Sequence, residues 1–308
     1  MVVLTEKSDI AIAEIVYYTP ALGIAIWLSI RHGFRRSSGW IYLLIFSLVR
    51  IIGGSLQIAA TATTPPNMSL YIGAATLQTI GLTPLMLTLL GLLGRVLESI
   101  RRADPSLPLS TVHLRLVQLV LTVALVLGSL GGRQAGKNYS ATGVYAPTTL
   151  SRAGTAITIV AYVLIAAAAA FTALHRAQAE PGEPRLLLAV GLALPLVLVR
   201  LMYAAVSTFA NSGAFSMLNG DVNVRLGMAV VMEMLVMAVV ESIGLTVQKQ
   251  HPSAFSAHAT AEHGPLRQAD PDEEDTGYYP MEEPPQYKAA AAAAGPRRPR
   301  VGVLGRFR

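Results

Sequence analysis

Cysteine is absent from the 308-residue chain, which excludes disulfides, thiolate metal sites and cysteine nucleophiles together. Charge is scarce as well: Asp, Glu, Lys and Arg make up 14% of the residues, against roughly 25% in a soluble globular protein. No dinucleotide fingerprint and no Walker loop occurs. Histidine is confined to His32, His113, His175, His251, His258 and His263, all outside the apolar runs, so no histidine zinc site lies within those runs. Ser and Thr inside the runs lack a neighbouring general base, and in such helices they more often bond backbone carbonyls than act as nucleophiles. The chain is therefore not expected to be an enzyme, and no cofactor, metal or nucleic acid is expected to bind it.

What remains is apolar. Hydrophobic residues make up 53% of the chain and the mean hydropathy is +0.50. They come in blocks of about twenty, the length a helix rising about 1.5 Å per residue needs to cross hydrocarbon. The blocks are continuous rather than alternating, which selects helices over a β-barrel. The expected fold is all-α: a polytopic membrane protein with seven transmembrane helices over residues 8–30, 41–60, 71–94, 112–131, 153–174, 186–208 and 226–247. The first run lacks a basic n-region and is too long for a cleaved signal, so it reads as a retained anchor.

Basic residues orient the spans, because Lys and Arg mark cytoplasmic loops. One set of alternate loops carries Arg31, Arg35, Arg36, Arg95, Arg101, Arg102, Arg115, Arg176 and Arg185, while the other carries only Lys7, Arg133, Lys137, Arg152 and Arg225. The N-terminus is thus expected outside and the C-terminus in the cytosol, in the plasma membrane or an endomembrane. Two glycosylation sequons, at Asn67 and Asn138, fall in loops that charge alone assigns to the outside.

Five charged residues lie where hydrocarbon should exclude them: Glu14, Arg50, Arg200, Glu233 and Glu241. Each costs about 2.5 to 3.5 kcal/mol at a helix centre on insertion scales, so each is expected to face the bundle and find a partner. Arg200 and Glu233 lie at matching depth, about 10 to 12 Å from the outer surface, and should pair. Glu14 and Arg50 form a second, more widely offset pair that an arginine can close by snorkelling. Glu241 and Glu98 lie nearer the cytoplasm, within reach of inner-loop arginines. Gln57 and Gln78 are expected to join the same polar network. Leu48-Val49-Arg50-Ile51 is echoed by Leu198-Val199-Arg200-Leu201, and Val96-Leu97-Glu98-Ser99-Ile100 by Val239-Val240-Glu241-Ser242-Ile243. The order suggests a 3+1+3 parallel repeat, with span four as connector.

Further absences separate the seven-span classes. The last span contains no lysine for a retinal Schiff base, its end has no Asn-Pro-x-x-Tyr, and span three ends in Gly94-Arg95-Val96-Leu97-Glu98 rather than Asp-Arg-Tyr. A rhodopsin-type receptor does not fit. The runs Arg31-His32-Gly33-Phe34, Ser37-Ser38-Gly39-Trp40-Ile41, Phe46 to Gly53, Tyr71-Ile72-Gly73-Ala74-Ala75, Gly91 to Val96 and Ala179-Glu180-Pro181-Gly182-Glu183 resemble an uncharacterised fungal family of seven-span integral membrane proteins, known only as a domain of unknown function. The resemblance covers about residues 5–250. It implies a fungal source and a multi-pass membrane location, and it carries over no activity.

From His251 the composition turns to Pro, Ala, Glu and Arg, so residues 251–308 are expected to form a disordered cytosolic tail after a seven-helix domain over 1–250. Within it, Pro284-Pro285-Gln286-Tyr287 resembles the Pro-Pro-x-Tyr ligand of WW domains, with Pro284, Pro285 and Tyr287 as the reading residues. The basic end, Arg297 to Arg308, could also touch anionic membrane lipid. Intramembrane charge leads to three expectations of function: a transporter or translocator of a small or amphipathic solute, a non-rhodopsin receptor or sensor, or a scaffold with static ion pairs.

Overall fold

The computed structural model describes residues 6–32, 38–62, 67–143, 146–179, 182–210, 215 and 220–247. No strand occurs among them, and seven helices are long and apolar enough to cross a membrane: Glu6–His32, Gly39–Ala62, Met68–Ala103, Thr111–Thr142, Thr149–Leu174, Glu183–Phe209 and Val222–Thr246. The chain is an all-helical, multi-pass integral membrane protein. Residues 251–308, including Pro284, Pro285 and Tyr287, lie outside the described residues, as do Arg35 and Arg36.

Spans one and two are single helices, α1 (Glu6–His32) and α2 (Ser38–Ala62). Span three is two helices, α3 (Met68–Ile80) and α4 (Leu82–Ala103), interrupted at Gly81. Pro84 explains the interruption: it has no N–H, so the carbonyl of Ile80 loses its helical donor. Spans four to six are α5 (Thr111–Thr142), α6 (Thr149–Leu174) and α7 (Glu183–Phe209), the last with Pro195 inside it. Span seven opens with the short α8 (Val222–Arg225), continues as a π-helical segment over Leu226–Val231 and ends as α9 (Met232–Thr246).

The spans close into one ring in chain order. Helix α1 packs on α2, α2 on α3 and α4, these on α5, α5 on α6, α6 on α7, α7 on α9, and α9 returns to α1. Span three also touches α6 and α7, which places it inside the ring and makes it the most deeply buried of the seven. Its leucine-rich face explains why: Leu85, Met86, Leu89, Leu92, Leu93, Val96 and Leu97 are all buried and pack with Tyr18, Leu28, Trp40, Leu43 and Phe46 from spans one and two. In lipid, small residues let backbones approach. A β-carbon on Gly154 would come within 2.9 Å of the Gly128 backbone nitrogen, so α5 and α6 meet there almost backbone to backbone.

The two repeated motifs fare differently in this ring: Arg50 and Arg200 are both buried against Glu233, whereas the glutamate motifs do not occupy matching places. Span three lies inside it and span seven on its perimeter. Accordingly Glu98 is half exposed and held by Arg102 one turn on at 3.2 Å, whereas Glu241 is buried.

The loop expectation at Asn138 is corrected. Helix α5 runs eleven residues past the expected boundary at 131, and the sequon Asn138-Tyr139-Ser140 lies in its last turns. The stop comes at Gly143, which takes the left-handed conformation at φ 71° and donates its N–H to the Tyr139 carbonyl. The other sequon residue, Asn67, caps α3: its side-chain oxygen accepts from the N–H groups of Ser69 and Leu70.

Candidate functional site

Four of the five intramembrane charges form one buried cluster near the end of the bundle where α1 begins. Arg200 on α7 donates from Nε to Glu233 Oε1 at 2.7 Å, the pair that matched depth predicted. Arg50 on α2 lies 3.6 Å from Glu14 on α1, the second expected pair. The two pairs are not separate, because Arg50 also contacts the other oxygen of Glu233. Glu14, Arg50, Glu233 and Arg200 thus form a neutral chain of alternating sign across spans one, two, seven and six. Each is at most 4% exposed. Neutrality answers the cost of burial, since each ion has an opposite charge beside it.

Gln78 sits in the middle of this chain, in the last turn of α3. Its amide nitrogen donates to Glu14 at 3.1 Å and its amide oxygen accepts from Arg50 at 3.1 Å. Its backbone carbonyl accepts from Arg200 Nη2 at 3.2 Å. Gly81 follows three residues on, in ordinary right-handed conformation. Gly81 further makes room for the guanidinium of Arg50, which fills the space a side chain would need. Phe46 and Tyr203 complete the setting, with their rings 5.4 and 5.7 Å from the guanidinium carbons of Arg50 and Arg200.

Gln57 takes no part in these bonds. Its side chain is buried and its amide nitrogen has no hydrogen-bond partner, while the residue lines two adjoining cavities. The narrow one, about 20 Å³ and room for a water molecule, lies between Gln57, Tyr71, Gln78, Arg200, Tyr203 and Arg225. The wide one, about 530 Å³, is lined by Glu6, Lys7, Gln57, Ala60, Thr61, Asn67, Met68, Tyr71 and Val222. Gln57 and Tyr71 belong to both, so the two cavities adjoin in a cleft between the Glu6 end of the bundle and the charge cluster. Lys7 donates to the Tyr71 hydroxyl at 2.7 Å across its mouth.

Glu241 behaves differently from expectation. It was expected to draw an inner-loop arginine, yet among the described residues it forms no ion pair, and one of its oxygens has no hydrogen-bond partner. The arginines of that end go elsewhere. Arg31 and Arg185 donate to the carbonyls of Leu245 and Thr246 at 3.2 and 3.3 Å, satisfying the last turn of α9, which has no intrahelical donors. Arg95 clasps Glu183 at 2.9 Å, joining span three to the start of span six. Nothing along the chain singles out that pair beyond its two residues lying at the same end of their spans, Arg95 in α4 and Glu183 at the start of α7.

The sequence profile of a family described as a domain of unknown function (DUF7702) matches residues 4–250. The chain belongs to this family. The match takes in every described helix and all members of the charge cluster. No curated protein and no solved structure matches the chain significantly. The family has no activity to transfer, so the cleft and the cluster beneath it carry the functional argument. Among the described residues no group of His, Asp or Glu is arranged to hold a metal ion.

Proposed function

We propose that this DUF7702 protein is a seven-span sensor: it binds a small ligand in the cleft above Gln78 and Arg200 and signals by shifting span seven. The supporting observation is the asymmetry of the bundle. A cleft with a polar inner end enters from the Glu6 end and stops at the charge cluster, while beyond it the centre is filled by Leu85, Leu89, Leu92, Leu93, Leu43 and Phe46. Apolar side chains dominate that half, with Thr88, Ser99 and Glu241 among its buried polar groups. On the charge argument the Glu6 end faces outward and the last turn of α9 faces the cytosol.

Glu233 supplies the switch. It is shared by Arg50 and Arg200, and Arg200 also holds the Gln78 carbonyl. A ligand that draws Arg200 toward the cleft weakens its hold on Glu233 and leaves that carboxylate to Arg50. The two pairings are discrete arrangements of one set of charges, which a ligand can bias only by binding one better than the other. Helix α9 carries Glu233, and its far end is held by Arg31 and Arg185, so a shift of α9 is felt at the cytosolic face.

One observation favours transport as a second reading. Spans one and six carry Pro20 and Pro195 inside their helices, span three changes helix at Gly81 and span seven has a π-helical segment, and irregular helices are common where transporters bind solute. The absence of native cysteine makes the two readings separable by single-cysteine labelling. A sensor predicts that Val222→Cys reacts with a membrane-impermeant maleimide from outside, while Leu89→Cys and Leu93→Cys stay unreactive from the cytosolic side under all conditions. Labelling of the two leucine positions from the cytosolic side would establish alternating access and overturn the sensor.

A further inference from the structure

The last turn of α9 is held from both sides by arginine. We infer that this turn is a binding site for phosphatidic acid of the surrounding leaflet, its phosphomonoester held by Arg31 and Arg185 and its acyl chains lying against Trp27, Ile30, Leu188 and Leu245. The inference goes beyond the cleft: it names a partner for the opposite end of span seven and does not depend on what the cleft binds.

The head position follows from two guanidinium groups. Arg31 reaches α9 from span one and Arg185 from span six, and they donate to the carbonyls of Leu245 and Thr246, consecutive residues of one turn. Each spends one N–H on a neutral carbonyl, so its charge and most of its donors are left over. Neither forms an ion pair among the described residues. The acids near this end are engaged or withdrawn: Glu183 holds Arg95, and Glu241, a turn deeper, is buried. Residues 33–37 and 248–250, which adjoin the site in sequence, add Arg35, Arg36 and Lys249 and no acid, while Glu180 is the only acid of residues 175–182. Two guanidinium groups on one turn suit a phosphomonoester, which carries about −1.5 to −2 charges at pH 7 and accepts their forked N–H donors. Phosphatidylserine offers a single net charge and an ammonium that both arginines repel.

The chain position follows from what lies one turn into the membrane. Trp27 precedes Arg31 by four residues on α1, and Leu188 follows Arg185 by three on α7, so each shares a helix face with its arginine. Both are about half exposed, at 48% and 57%, and Ile30 and Leu245 beside them are exposed as well. The guanidinium carbon of Arg31 lies 4.8 Å from the centre of the Trp27 ring, which joins basic head and apolar flank in one surface. An acidic peptide or a free phosphate would use the arginines and leave the flank uncovered. A phosphate carried on an inositol ring would stand farther out from this turn. On the sensor reading, a lipid here holds the turn through which span seven signals, and that consequence alone rests on the reading.

The test uses the chain's two tryptophans. Trp27 is exposed beside the site and Trp40 is buried, so a brominated lipid that settles at the site quenches Trp27. The full-length protein is placed in phosphatidylcholine nanodiscs in which a fixed fraction of the lipid is dibrominated phosphatidic acid, phosphatidylserine or phosphatidylcholine. Phosphatidic acid should quench well beyond the other two at equal bromine, and Trp27→Phe should lose that excess. Arg185→Gln should lower the preference about fivefold, the share of one basic residue at an anionic surface. Arg185→Lys should keep most of it, which separates lost charge from lost folding, and neither change touches the stack of Arg31 on Trp27. Equal quenching by phosphatidic acid and phosphatidylserine, or a preference unchanged in Arg185→Gln, would overturn the site. Stronger competition from unbrominated phosphatidylinositol phosphate than from unbrominated phosphatidic acid would overturn the choice of lipid. Labelling of Val222→Cys is a separate measurement, so a failure here leaves the sensor reading standing.

Discussion

Gly81 lies against the guanidinium of Arg50: a β-carbon built on this glycine would come within 2.7 Å of Nη2. Its backbone is ordinary right-handed helix at φ −55° and ψ −30°, so conformation does not demand glycine here. The demand comes from the charge that fills its place.

Gly81→Ala is therefore expected to destabilise. Backbone entropy alone favours alanine by about 0.5 to 1 kcal/mol in a helix. Overpacking costs roughly 1 to 3 kcal/mol, and here the displaced atom belongs to a buried ion pair, so the cost wins. Gly23 on α1 has nothing within 4 Å of a built β-carbon, and Gly23→Ala should stabilise. Thermal unfolding in detergent measures both signs. A Gly81→Ala protein as stable as the parent would show that Arg50 does not occupy that space.

Glu233 should be the most sensitive member of the cluster, because it serves two arginines. Glu233→Gln leaves Arg50 and Arg200 with only Glu14 between them, and stranding a buried charge costs about 3 to 5 kcal/mol. Arg200→Gln should cost less, since Glu233 keeps Arg50. Exchange of the pair, Arg200→Glu with Glu233→Arg, should not restore stability, because the new guanidinium would face Arg50. Unfolding temperatures of the single and double variants decide the matter, and recovery to the parent value would show that Arg50 and Glu233 act independently.

The loop charges predict an external N-terminus and a cytosolic C-terminus. A C-terminal epitope should be stained only after cells are permeabilised, and staining of intact cells would reverse the orientation. In this orientation Asn138 is external but helical, so we expect no glycan on it. A mobility shift on deglycosylation that is lost in Asn138→Gln would show that the end of α5 unwinds in the cell.

On its sequence, the segment at Pro284, Pro285 and Tyr287 is proposed to recruit a WW-domain protein, with a ubiquitin ligase acting on Lys288 or Lys249 as the expected consequence. A peptide spanning residues 280–290 should bind a WW domain, and Tyr287→Ala should abolish binding and lengthen the lifetime of the protein in its membrane. Turnover and binding both indifferent to Tyr287 would reduce the motif to a chance of composition.

Much of this architecture is legible along the chain because hydrocarbon imposes it residue by residue. Each span must be apolar and about twenty residues long whatever its neighbours are, so the seven spans emerge from hydropathy alone. The pairing of Arg200 with Glu233 was equally legible, since depth in a membrane is counted along a helix. Three features were settled only in the folded bundle. Glu233 is shared because Arg200 on the neighbouring α7 and the long side chain of Arg50 on α2 both reach it, and no count along one helix reveals that meeting. Gln78 joins the cluster while the buried amide nitrogen of Gln57 has no partner, a difference of rotation about two helix axes that polar character cannot predict. Among the described residues Glu241 has no arginine partner, while Arg31 and Arg185 donate to the carbonyls at the end of α9. Sequence determined which residues had to enter the bundle and how deep they lie; packing around the inner span decided which of them meet, because neighbours across a helical ring are chosen by rotation and crossing rather than by position in the chain.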